Sequence, residues 1–173
     1  MGKEIQKDEH LRQKTAPLPP FTKFVRGILY DKSIGKILVV ENIEGHKISL
    51  PGGIFPDAAE NGQLIAARRI QKLQSYFSNH LSLRVSAKPF LIIINKNSQD
   101  VIFAVELYSD CEQYDDKKGV HFWTSNNRSY RLQSLWQDPQ SLMDKGPRHF
   151  PIIWPAFLEW QNSDNKFIRI VKP

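Results

Sequence analysis

A length of 173 residues, with 40% hydrophobic and 11% aromatic side chains, suffices for one domain with a real core, and 24% charged residues exclude a disordered composition. A single cysteine, Cys111, excludes an intramolecular disulfide and a multi-cysteine zinc site, and the five histidines (His10, His46, His80, His121, His149) show no metal-ligand spacing. The net charge is +6, the N-terminus is polar, and no apolar run approaches the ~20 residues of a membrane span, so a cytoplasmic protein without a membrane partner is expected.

Residues 1–20 read as a polar N-terminal extension closed by a proline cluster, and the domain proper is expected over 21–173. "FTKFVRGILYD" alternates and is rich in β formers, "KSIG" turns, and "KILVVEN" gives a second strand. "EGHKISLP" supplies a turn and a short third strand ending at Pro51, after which Gly52 and Gly53 open a loop. The spacing then predicts a helix over Gln63–His80: at 100° per residue, Ala66, Ala67, Ile70, Leu73, Phe77 and Leu81 share one side. Arg68 and Lys72 fall nearly opposite, with Arg69 at the flank. "SAKPFLIIINK" and "DVIFAVELYSD", separated by "NSQ", suggest a buried hairpin, and "HFWTS" another short strand. "SYRLQSLWQ" reads as a short helix, "PIIWPAFLEWQ" as a last helix, and "KFIRIVKP" as a closing strand or a loose tail. The order β-β-β-α-β-β-α points to α+β or to an α/β sandwich.

Charge is polarised along the chain. Residues 61–99 hold Arg68, Arg69, Lys72, Arg84, Lys88 and Lys96 and no acid, whereas residues 100–116 hold Asp100, Glu106, Asp110, Glu112, Asp115 and Asp116 and no base. Two solvated faces account for this pattern, and so does a basic surface that attracts phosphate.

The segment from Leu50-Pro51-Gly52-Gly53 to Ser75, set in this order of elements, resembles the Nudix hydrolase family over roughly Phe21–Trp160. The family's box reads G-x5-E-x7-R-E-U-x-E-E-x-G-U, with U aliphatic. Laid on this chain it runs from Gly53 to Glu60 with six intervening residues rather than five, and then over seven residues to Arg68. Beyond that the residues depart from it: Arg69, Lys72 and Leu73 stand at glutamate positions and Ser75 at the glycine, while Ile70 keeps the aliphatic position. Without the extra loop residue Arg69 would take the aliphatic position and bury a charge. The resemblance implies an α/β (α+β) fold, a Nudix-like α/β/α sandwich with a mixed sheet and a central loop-helix-loop. In the family, box glutamates hold magnesium or manganese against a substrate diphosphate; two cations and a leucine do not supply the oxygen shell that such a metal takes.

Two readings of function follow. In one, the domain is non-catalytic or very weakly active, needs no metal cofactor, and binds a nucleotide or other diphosphate-containing ligand, an RNA or a protein partner. Arg68, Arg69 and Lys72, with Arg26 on the first strand and the Gly52-Gly53 turn, would then meet phosphate directly, as arginine's planar fork suits. Trp123, Phe122 and Tyr130 lie where family members stack a base, and core packing is the alternative for them. In the other, the chain is a magnesium- or manganese-dependent hydrolase of nucleoside diphosphate-linked substrates with relocated carboxylates. Glu60 and Glu106 would be catalytic, with Asp57, Asp110, Glu112, Asp115 and Asp116 nearby, against the plainer reading of a solvated acidic loop.

Overall fold

The alternation of "TKFVRGILYD" organises the molecule. In the computed structural model, which describes residues 22–42, 44–55, 62–108, 120–125 and 128–173, this stretch is strand β1 (Thr22–Asp31). Val25 and Leu29 join one hydrophobic cluster and Ile28 another, so successive side chains serve opposite faces of the sheet. β2 (Lys36–Asn42), β3 (Lys47–Ser49) and β4 (Gly52–Phe55) follow, and then helix α1 (Gly62–Leu81). β5 (Val85–Ile94) and β6 (Ser98–Leu107) form the expected hairpin, and β7 (Val120–Ser125) pairs with β8 (Arg128–Gln137). Helices α2 (Pro139–Lys145) and α3 (Phe150–Asn162) and strand β9 (Arg169–Val171) complete the described chain.

The strands run in the order β7-β8-β2-β1-β6-β5-β9, with β3 on β2 and β4 on β1. β1 lies parallel to β6 and antiparallel to β2 and β4, so the sheet is mixed. On one face Val25, Val101, Phe103 and Val105 pack with Leu73, Phe77 and Leu81 of α1. On the other, Ile28, Ile102 and Phe90 pack with Phe150, Ile153 and Phe157 of α3. The result is the α/β/α sandwich that the resemblance implied. α1 approaches closely because β1 has no side chain at Gly27: a Cβ there would stand 2.5 Å from Val105 Cγ2 and 3.1 Å from the Phe77 ring.

Four sequence expectations are corrected. Gly52 and Gly53 begin strand β4 rather than a loop, since the chain re-pairs with β1 at Arg26 and Val25. "SYRLQSLWQ" is strand, not helix: β8 pairs with β2 from Leu132 to Gln137 and with β7 on its other edge, and two ladders outweigh a local helical period. Ser98 and Gln99 already belong to β6, so the hairpin turn lies over Asn95–Asn97. Ala66 and Ala67 are exposed, because the apolar stripe of α1 first meets the sheet at half-buried Ile70. Helix α2 was not anticipated, although its signals are in the sequence. Asp138 accepts a hydrogen bond from Ser141 N at 3.3 Å, Pro139 opens the first turn, and Gly146 closes the last. β9 settles the tail as a strand, parallel to β5. The segment 1–20 lies outside the described residues.

Candidate functional site

β1 has a hollow on each side, and the glycine pair decides how they meet. Gly52 has φ +149°, and a Cβ on it would lie 2.0 Å from the Val25 carbonyl oxygen. Only glycine lets β4 close on β1 here. Opposite Gly52 stands Arg26, whose guanidinium lies 4.9 Å from the centre of the Phe24 ring and whose Nε donates to Asp100 Oδ1 at 3.3 Å.

The larger hollow is a cleft of about 410 Å³ on the α3 side, within the usual range for small-molecule sites. Arg26 and Asp100 reach it from the sheet, Lys47 from β3, and Arg148 and His149 from the approach to α3, over a floor that includes Ile102 and Ile153. Three cations face one carboxylate, so the lining attracts anions. Asp100 is 7% exposed, and His149 Nε2 lies 3.4 Å from Asn95 Nδ2.

The smaller hollow, about 250 Å³, lies between β4 and α1 and is bordered by Gly53, Ile54, Lys72, Ser75 and Tyr76. Burial pushes the Tyr76 phenol up to about 12, against the Arg26 charge and a hydrogen bond with the Gly52 backbone, both of which favour the phenolate. An unfolded tyrosine ionises near pH 10, so the stability held by the neutral phenol is intact below that pH and lost as the pH rises towards about 12. Two pK units correspond to about 3 kcal/mol. We expect the wild type to lose that much more stability than Tyr76→Phe between pH 9 and pH 12 in urea titrations; parallel pH courses would contradict it.

The sequence-derived site residues divide between these places. Lys72 is exposed beside Gly53 at the smaller hollow, Arg68 is exposed, and Arg69 is half-buried with its guanidinium 5.8 Å from the centre of the Phe55 ring. Arg26 borders the cleft instead, and its charge still reaches Tyr76. Glu106 is exposed on β6 opposite Ser86 and shares the strand parity of Ile102 and Ala104, which face away from α1. Trp123 stands on β7 opposite Tyr130 of β8, and Phe122 opposite Arg131. Glu60, Asp57, Asp110, Glu112, Asp115 and Asp116 lie outside the described residues. Sequence reasoning missed Lys47, Arg148, His149 and the role of Asp100. One signal existed: Asp100 is a carboxylate directly before the apolar run Val101–Val105.

No family model matches the sequence, and the comparison with curated proteins finds no relative. Solved structures do match. An ADP-ribose pyrophosphatase from Streptococcus suis superposes with a TM-score of 0.58 at 17% identity, covering 88% of this chain and all of that one (100%). A Nudix hydrolase from Nitrosomonas europaea gives 0.54 at 14% identity, over 91% of this chain and 82% of that one. A UDP-X diphosphatase gives 0.55 at 10% identity, over 95% and 74%. The chain has the Nudix fold.

Within the Nudix fold the metal question becomes one of donors. Residues 61–99 contain no carboxylate, and on α1 Arg68 and Lys72 point to solvent while Leu73 is 0% exposed. Magnesium and manganese seek oxygen ligands, and two cations beside a buried leucine do not fit either ion. Among the described residues no group of three His, Cys, Asp or Glu could hold a metal ion. No described helix is long and apolar enough to cross a membrane.

Proposed function

We propose that this Nudix-fold domain binds a phosphate-containing ligand, a nucleotide or an RNA, without the metal-dependent hydrolysis implied by its family resemblance. One observation carries the reading: the α1 face, where the box glutamates would stand, presents Arg68, Arg69 and Lys72 and buries Leu73. Cations at those positions attract phosphate and repel a divalent ion. The cleft lined by Arg26, Lys47 and Arg148 gives such a ligand room, and those side chains can neutralise a phosphate without metal. Relocated carboxylates are the weaker alternative, because Glu106 does not line the cleft, whose one carboxylate among the described residues is Asp100.

The test is calorimetry with nucleoside mono- and diphosphates in EDTA, beside a phosphate-release assay with magnesium and with manganese. Binding should persist in EDTA and weaken as salt rises, since exposed charge pairs are screened over about 10 Å at 0.1 M. No turnover is expected. Metal-dependent hydrolysis abolished by Glu60→Gln or Glu106→Gln would replace this reading with the relocated-carboxylate enzyme. Neither binding nor turnover would leave a protein partner as the better account.

A further inference from the structure

We infer that Asp100 is a specificity-determining residue that selects ligands presenting an N–H donor to the floor of the cleft, so that amino-bearing nucleobases are preferred to analogues with no N–H on that edge. The inference rests on the cleft being the phosphate-ligand site. Asp100 is 7% exposed, and its side chain's one hydrogen bond among the described residues is the one Oδ1 accepts from Arg26 Nε at 3.3 Å. That leaves Oδ2 without a hydrogen-bonding partner among the described residues. A carboxylate oxygen can only accept, so at this depth it favours whatever donor the ligand brings and disfavours a second lone pair.

The anion end of the same ligand falls to side chains. The amides at the start of α3 are already engaged: Phe150 N donates to Pro147 O at 2.9 Å, Ile152 N and Ile153 N to His149 O at 2.9 and 3.0 Å, and Pro151 has no N–H. Lys47 and Arg148, which line the cleft with Asp100, remain to hold phosphate. Cations and a buried acceptor in one cleft suit a ligand with an anion at one end and a donor nitrogen at the other. A nucleotide with an exocyclic amino group has that chemistry. An analogue in which hydrogen replaces the amino group turns only lone pairs and C–H groups towards Oδ2, and a site built around a buried polar group discriminates strongly against a mismatched edge.

The experiment measures Kd for AMP, CMP and their deamino analogues, the 5′-monophosphates of purine riboside and of pyrimidin-2-one riboside, in EDTA on the wild type, Asp100→Asn and Arg148→Gln. The wild type should prefer each amino nucleotide to its deamino analogue by on the order of tenfold. Asp100→Asn keeps an acceptor for Arg26 and places an NH2 donor at the second position, so the preference should vanish or reverse. Arg148→Gln should weaken all four nucleotides and leave their ratios unchanged. Equal wild-type affinities, or a ratio unmoved by Asp100→Asn, overturn the inference and leave the phosphate-ligand reading standing. No binding of any of the four overturns that reading, and the inference with it. The wild-type ratios decide the matter even if Asp100→Asn fails to fold.

Discussion

Replacing Leu73 by glutamate will unfold the protein or bring it to the edge of unfolding. The substitution writes the family's residue into this chain, yet the position is 0% exposed and sits under Gly27 among Phe77, Phe103 and Val105. A carboxylate there would lose the leucine's packing and have no cation within the cluster. An unpaired buried charge costs on the order of several kcal/mol, set against a total stability of roughly 5–15 kcal/mol for a domain. Leu73→Met, which conserves volume, should cost less than about 1.5 kcal/mol. Urea midpoints for the three proteins check this, and an unchanged midpoint in Leu73→Glu would mean that the side chain reaches solvent.

Gly52→Ala should be nearly as damaging, while Gly53→Ala next to it should be mild. At Gly52 the added carbon would meet the Val25 carbonyl oxygen at 2.0 Å and Arg26 Cα at 2.8 Å, all backbone atoms, at a φ of +149° that L residues rarely adopt. Strain of this kind costs about 1–3 kcal/mol on its own. Relieving the clash would also pull β4 off β1, breaking its pairing from Lys23 to Arg26, so a loss above about 3 kcal/mol is expected. At Gly53 nothing lies within 4 Å of the added carbon, so the expected change is a few tenths of a kcal/mol. Equal midpoints for the two alanine variants would contradict the close approach. Because Arg26 is the residue opposite Gly52, the first variant should also weaken nucleotide binding.

The elements that could be read from the sequence are those whose burial pattern is local. β1, β2, the β5–β6 hairpin and α1 declare themselves by their own periodicity, and the box spacing from Gly53 to Arg68 points to the fold. β4 could not be read this way, because a Gly-Gly pair carries no side-chain pattern and becomes strand only by docking on β1. β8 was hidden because "SYRLQSLWQ" fits either period, and only the partner edge of β2 decides between them. The cleft was less legible still. Arg26 and Asp100 meet because β1 and β6 lie side by side, and Lys47 and Arg148 arrive from opposite ends of the chain. Proximity of that kind leaves no spacing to detect. The cations on α1 were visible, but the cleft lies on the other face of the sheet, so the spacing along the helix gives no pointer to it.

The parallel pairing of β1 with β6 also bears on how the chain matures. Val25 aligns with Val101 and Ile28 with Ala104, so the central strand waits for a partner made much later in synthesis. A ribosome delivering roughly 5–20 residues per second will have released β1 through α1 while β6 is still unmade. In that interval Val25 and Leu29 have only part of their final cover, and one edge of β1 is open to any strand that comes near. Closing so long a loop must precede the contacts that reward it, which slows folding. The first half of the polypeptide is therefore not a unit that matures ahead of the second. Its central strand keeps an open edge until the β5–β6 hairpin emerges and docks.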